Sequence, residues 1–496
     1  MLDRVLPRIE WHSLLFGVLA IVAGLASVVI VEYVPDVNYL LLTVGAAVVA
    51  LLIVQRVEWG LLVLVFTTYI RFSSVMRTYH GAPPTIHFLI LLIVVGIFIR
   101  WIFRGRQPSG WERVALLLGS YGLVNALSLF FAVNYSAARH GVVNLMEDVL
   151  LTISVVILLQ TSGALRRVIW MLVAAGIFLG TLSVYQYLTG TFSENYGGFA
   201  QVEYANIVGR TSDYRIGGPS GSPNFFAQAM IVLVPLALDR MWNEKSIWLR
   251  VLAGWGVAVS ALTVIFTFSR GGFLALSCVL ILLMIVRPPR LTVLPATLAV
   301  CLVLVQFLPA KYIDRLLTLT DLFPNSNADI RNEGSFRGHL SENIVAWMMF
   351  VEHPILGVGT DQYEHLYLNY SERLGIDPRS QDRVAHNVYL EIAAEHGVVG
   401  FGVFCAILWI MFRGLWLARE DFLAVGKPDK ARIAIVFGVA MIGYLLCGMF
   451  IGLAYANTFW MLVGIALAIP QIARRELDIY RQLNASSNSK FAIAKR

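Results

Sequence analysis

The sequence predicts an all-α polytopic membrane protein, and three observations carry that prediction. Hydrophobic residues fill 58% of the 496 positions and charged residues only 14%, with a mean hydropathy of +0.72. Apolar runs of about 18 residues or more recur from end to end, each long enough to cross a bilayer core of about 30 Å. The net charge of +7 lies between these runs rather than in one patch, which argues against nucleic acid as a partner.

Taken in order, about 14 spans can be drawn. They cover roughly 14–34, 38–54, 59–70, 86–103, 114–133, 147–161, 168–188, 223–240, 249–268, 272–286, 291–309, 388–412, 432–453 and 457–473, the third being short. Arg4 and Arg8 ahead of the first run resemble a signal peptide. That run is too long, however, and ends at Glu32–Asp36 without a small-residue cleavage site, so it reads as a retained span. Cys278, Cys301, Cys405 and Cys447 all sit in apolar runs and imply no disulfide framework. No internal repeat is visible.

Charge sets the expected orientation. With the N-terminus inside, 25 of the 38 Lys and Arg residues fall on the inner side, and every inner connection carries at least one. Nine of the other 13 lie in two long connections that the charge rule does not govern. Both termini are therefore expected inside, and the long connections, 190–222 and 310–385, outside. The second holds Trp347, Met348, Met349, Phe350, Tyr363 and Tyr367, too apolar for disorder, so short helices over the membrane surface are expected there. The chain divides into N-terminal helices (1–189), a central region with both outer loops (190–412), and C-terminal helices with a cytoplasmic tail (413–496).

Chemistry-bearing residues gather in the central region. The first loop ends in Arg215-Ile216-Gly217-Gly218-Pro219-Ser220-Gly221-Ser222-Pro223-Asn224. Ser222 suits a helix cap and Pro223 the first helical position. Free N–H groups there favour an anion, and Arg215 adds a guanidinium fork; the plain alternative is a glycine-rich turn re-entering the membrane. Ser269-Arg270-Gly271-Gly272 joins two spans on the same side, where Arg270 either binds phosphate or snorkels to headgroups. Arg337 precedes His353-Pro354-Ile355-Leu356-Gly357-Val358-Gly359 and either binds substrate or pairs with a loop carboxylate. His386-Asn387 opens the next helix with Asn387 as cap. Glu391 and Glu395 follow, four residues apart on one face. His339, His353, His365 and His396 show no metal spacing, and the outer loops hold no Asp-x-Asp pair. Arginines beside a proton acceptor fit displacement of a diphosphate by a hydroxyl.

Arg215 before Gly-Ser-Pro-Asn, Ser269-Arg270-Gly271-Gly272, Arg337 with His-Pro-Ile-Leu-Gly-Val-Gly, and His386-Asn387 before Glu395-His396-Gly397 together resemble the O-antigen ligase and O-antigen polymerase superfamily, which includes bacterial protein O-oligosaccharyltransferases. The resemblance covers about 215–400. It implies a GT-C-like glycosyltransferase in the bacterial inner membrane, with a large extracytoplasmic loop and a site facing the periplasm or exterior; the roughly 14 spans drawn from hydropathy exceed the roughly twelve usual in ligases. Such an enzyme moves a glycan from undecaprenyl diphosphate to a glycan, lipid or protein hydroxyl, inverting, with no metal and no cofactor. Arg215 and Arg270 would hold the diphosphate and His386 would act on the acceptor. Arg337, Asn224, Glu391 and Glu395 are possible substrate contacts. The rival is a transporter, for a small anion or a lipid-linked glycan, that uses the same arginines. Transporters commonly place ionisable groups near the bilayer midplane, whereas here the charges gather at one face.

Overall fold

The computed structural model describes residues 56–105, 109–208, 211–288, 334–375, 381–452 and 456–494, with scattered positions between 291 and 309. It is helical apart from one hairpin. In chain order the elements are α1 (Val57–Tyr69), α2 (Phe72–His80), α3 (Thr85–Arg104), α4 (Glu112–Leu127), α5 (Tyr135–Leu158), α6 (Ser162–Thr189), β1 (Gln201–Val208), β2 (Thr211–Gly218), α7 (Pro223–Asn243), α8 (Ile247–Phe266), α9 (Arg270–Val286), α10 (Gly334–Glu352), α11 (Tyr363–Leu374), α12 (Val388–Ala424), α13 (Pro428–Cys447) and α14 (Ala456–Ala494).

Among the described residues, eight helices are long and apolar enough to cross a membrane, or nine if α1 and α2, which meet at a 58° bend, form one broken span. This is fewer than the sequence count of about 14, for identifiable reasons. The expected spans 14–34 and 38–54, and most of 291–309, lie outside the described residues. The expected span 272–286 becomes α9, a 17-residue apolar helix at the short end of what crosses a bilayer core. The span expected at 457–473 is the buried first half of the 39-residue α14.

Burial orders the bundle. α7 is central, with 89% of its apolar window buried, whereas α3 has 17% buried and turns its side chains outward. α7 packs on α8 and α13, α8 on α6, and α12 on α14 and α13. Gly176 and Gly180 let α6 approach α8 closely, because a Cβ at Gly180 would lie 2.8 Å from Val259 Cγ2; small residues four apart are a common device where helices meet in lipid. At the far end of α7, Glu244 accepts hydrogen bonds from Arg166 (2.6 Å), Trp170 (3.0 Å) and Arg240 (3.1 Å). The pairing satisfies charges that would be costly if buried alone.

Two long segments depart from plain connections. The loop 190–222 folds into the antiparallel hairpin β1–β2, which pairs Glu203 with Arg215 and Tyr204 with Tyr214. This hairpin corrects the purely helical expectation. Its basis is the run of alternating Val202, Tyr204 and Tyr214, Ile216, residue types that suit a half-buried pleated surface. Phe192 stacks on Tyr214 with ring centroids 4.3 Å apart. Within 310–385, α10 and α11 form, packed through a small core of Val345, Met349, Tyr363 and Tyr367 against Ala385 and Ala394.

Candidate active site

The hairpin delivers Arg215 to the start of α7. Its side chain is nearly buried and bonded on three sides. Nε donates to Thr267 O (2.9 Å), Nη2 to Asn224 Oδ1 (3.1 Å) and Nη1 to Glu203 Oε2 (3.2 Å). Asn224 thus orients Arg215. Burial pushes the Arg215 guanidinium down, Glu203 pulls it back up, and Arg270 pushes it down again. The two arginines therefore lie within each other's field, which raises the cost of the pair unless an anion lies between them.

Arg270 is the first residue of α9, and Ser269 caps that helix by accepting from Gly272 N at 3.2 Å. A cation in the first helical turn opposes the macrodipole. Here it stands beside the start of α7, because a Cβ at Gly272 would come 2.9 Å from Ala227 Cβ. The starts of α7 and α9 thus meet, with an arginine at each, an arrangement that suits a phosphate group able to displace Glu203 from Arg215. Phe268, buried and in the left-handed region at φ 51°, makes the sharp turn that aims Ser269 and Arg270. Ser222 does precede α7 with Pro223 at its first position, but its side chain makes no cap bond. Ser220 Oγ instead donates to Gly217 O (2.6 Å) and Ser222 O (3.1 Å), closing the glycine turn.

His386 lies at the start of α12. Asn387 caps that helix as expected, its Oδ1 accepting from Tyr389 N (3.1 Å) and Leu390 N (3.2 Å). The carboxylate beside His386 is Glu342 of α10, not Glu391 or Glu395. His386 Nδ1 is buried and lies 2.8 Å from Glu342 Oε2. Glu342 is fully buried and also meets Arg383 Nη1 at 2.6 Å and His339 Nδ1 at 3.1 Å. Burial pushes the Glu342 carboxyl up, but the hydrogen bonds and charges of His339 and His386 outweigh it and leave it at about 2. Tyr363 Oη donates to Glu342 O (2.8 Å) and fixes its backbone. Arg337 sits on α10 ahead of His339 and Glu342.

Glu391 and Glu395 face elsewhere. Both line a cavity of about 2210 Å³ bounded by α2, α3, α5, the segment 360–365 and α12. Glu395 Oε1 accepts from Tyr363 N at 3.0 Å, which ties α11 to α12. His396 Nε2 lies 3.2 Å from Thr360 Oγ1, itself 3.1 Å from Asn125 Oδ1. Asp361 also lines the cavity; burial raises its carboxyl, with His140 and His365 pulling it back. The wall includes Phe225, next to Asn224, and Val384 and Glu391 on either side of His386. The cavity thus runs from the arginine pair's helix to the histidine's helix. The turn 448–452 bridges the same gap, with Phe450 against Gly271 and Gly448 O accepting from Val388 N at 2.8 Å.

Glu342 and Arg383 escaped the sequence reading. The only local signal was Glu342 one helical turn after His339; its partner His386 is remote in sequence and reaches it only through tertiary packing. The cavity's N-terminal wall carried no motif at all.

Residues 255–405 match the family model described as O-Antigen ligase. No curated protein matches the chain. Arg270, Arg337, Glu342, His386, Glu391 and Glu395 all lie inside the matched segment, whereas Arg215, Asn224 and much of the cavity wall lie outside it. Over residues 255–405 this multi-pass membrane protein carries an O-antigen ligase family domain.

Proposed function

We propose that the chain is a GT-C-like glycosyltransferase of the bacterial inner membrane, acting on the outer side with both termini in the cytoplasm. It moves a glycan from undecaprenyl diphosphate to an acceptor hydroxyl on a glycan, lipid or protein. The acceptor oxygen attacks the anomeric carbon, the bond from that carbon to the diphosphate breaks, and the configuration inverts. The observation that carries this reading is the adjacency of the starts of α7 and α9, where Gly272 faces Ala227, with Arg215 bonded to Asn224 of the one and Arg270 opening the other. It supports a diphosphate site, and the matched family supports lipid-linked glycan as donor. The ionised Glu342 beside Nδ1 favours the tautomer with the proton on Nδ1 and leaves Nε2 to accept the acceptor's proton. The large cavity is lined by sequence neighbours of both groups, Phe225 beside Asn224 and Val384 near His386, though not by Arg215, Arg270 or His386 themselves, and its volume exceeds the roughly 300–1,000 Å³ of small-ligand pockets.

The direct test incubates purified protein with a lipid-linked oligosaccharide and candidate acceptors in excess EDTA. Free undecaprenyl diphosphate should appear together with elongated acceptor. Donor consumption only on adding Mg²⁺ or Mn²⁺ would refute the metal-free mechanism.

Arg270→Lys separates a diphosphate ligand from a membrane anchor. Lysine keeps the charge but loses the planar fork. Donor affinity or turnover should fall about tenfold or more, since charge-assisted bonds contribute about 1.5–3 kcal/mol. Wild-type behaviour would return Arg270 to the headgroup region.

Orientation is tested at Asn325, within the expected outer loop. Asn325→Cys should react with an impermeant maleimide added to intact spheroplasts. Reaction only after permeabilisation would place the loop, and the proposed site with it, in the cytoplasm.

A further inference from the structure

We propose that His339, Glu342 and His386 form an inhibitory zinc site at the transferase centre. Their ligand atoms all lie within 4.8 Å of one another. The Nδ1 atoms of His339 and His386 both approach the same oxygen, Glu342 Oε2, at 3.1 and 2.8 Å. Tetrahedral zinc with bonds of about 2.0–2.2 Å needs ligand separations of about 3.3 Å, so small side-chain rotations open the centre to the ion. Two imidazoles and one carboxylate are a ligand set that zinc takes with its fourth position open.

The surroundings fit a ligand carboxylate rather than a loose surface cluster. Arg383 holds the other oxygen, Oε1, at 2.6 Å, leaving Oε2 as a monodentate ligand. Such outer partners orient metal-binding carboxylates. Glu342 is fully buried, and its backbone carbonyl is held by Tyr363 Oη. His386 Nδ1 is buried 2.8 Å from Glu342 Oε2, so zinc entering between them displaces the proton that Nδ1 otherwise carries and takes the lone pair it leaves. Arg383 places a positive charge near the ion and limits affinity. That charge suits a site that fills when free zinc rises rather than one that holds a resident cofactor.

The consequence follows from imidazole chemistry and rests on the reading of His386 as the proton acceptor. Zinc bound at Nδ1 forces the ring proton onto Nε2. Nε2 then cannot take the acceptor's proton, and Glu342 is drawn from its orienting role. Zinc should therefore inhibit a transferase that needs no metal of its own.

The experiment titrates EDTA-stripped, desalted, full-length protein in detergent with Zn²⁺. Bound metal is read by competition with a chromogenic chelator, and its ligands by X-ray absorption. One equivalent should bind with imidazole ligands, turnover should drop at least about tenfold, and EDTA should restore it. His339→Ala should weaken zinc binding about 10–100-fold, and its inhibition by zinc is scored as a ratio to its own zinc-free turnover, which should fall less in added zinc than wild type's does. Failure to bind zinc would overturn the proposal without touching the transferase reading, since the zinc-free activity is measured in the same preparation. Equal binding by His339→Ala would place the ion elsewhere. Binding with unchanged turnover would end the inhibitory role.

Discussion

His386→Ala lowers turnover by about 10²–10⁴-fold, the usual contribution of general-base assistance, and leaves donor affinity near wild type. The split follows from the geometry. The donor's diphosphate is assigned to Arg215 and Arg270, and Arg215's bonds run to Thr267, Asn224 and Glu203. His386 belongs to the Glu342 cluster instead. Glu342→Gln is the sharper variant. A glutamine amide nitrogen that donates to Nδ1 would move the ring proton to Nε2 and cost on the order of 10²-fold or more, as tautomer reversal does in other histidine catalysts. Glutamine also leaves Arg383 facing a neutral partner, so folding is checked by gel filtration. His386→Gln distinguishes orientation from proton transfer, because it keeps a hydrogen-bond acceptor without useful basicity. Kinetics and donor-binding isotherms on the three variants decide. Alanine weakening donor binding as much as turnover would make His386 part of the diphosphate site. Alanine changing neither would make it a plain helix start.

What the sequence disclosed depended on how local the cause was. The cap at Asn387 was legible because its partners, Tyr389 and Leu390, lie within three residues. Ser269 was as local a cue but went unread: its bond to Gly272 N caps α9 and makes Arg270, read as part of a turn, the first helical residue. Ser222 had the same cue, yet neighbouring Ser220 closes the turn, a competition between two serines that composition does not resolve. The hairpin was missed because 190–222 was read as a long loop and each strand is only eight residues. Glu342 was missed for a different reason. A buried carboxylate is tolerable only with its cations assembled, and those cations come from Arg383 and His386, which sequence spacing cannot join to it. Span 388–412 was read as one continuous helix because hydropathy does not register a backbone break.

That break leads to the largest stability effect. At Gly397, φ is 61° and ψ −165°, a conformation essentially confined to glycine. The break leaves backbone groups of α12 without helical partners, and the segment 354–359 supplies them. Val358 N donates to Ala394 O (2.9 Å), Gly359 N to Glu395 O (2.9 Å) and Val398 N to Pro354 O (2.7 Å). The approach is so close that a Cβ at Gly397 would overlap the Ile355 carbonyl, and one at Gly357 would overlap the Glu395 backbone. Each glycine is thus required both for its own backbone angle and by the backbone it faces. This gives a physical reason for Gly357-Val358-Gly359 and His396-Gly397 in one chain. Gly397→Ala or Gly357→Ala should cost about 2–6 kcal/mol, combining strain of about 1–3 with overpacking of about 1–3. Either loss would also loosen the joint that sets α10, with Glu342, against the start of α12, with His386. Two controls isolate the cause. Gly375 has φ 61° with nothing near its absent Cβ, so Gly375→Ala carries backbone strain alone, about 1 kcal/mol. Gly402 lies within α12 in open space, so Gly402→Ala should be neutral or slightly stabilising. Thermal melting in detergent, followed by gel filtration, ranks the four. If Gly397→Ala melts no lower than Gly375→Ala, the segment 354–359 does not hold the break, and the coupling of Glu342 to His386 must come from elsewhere.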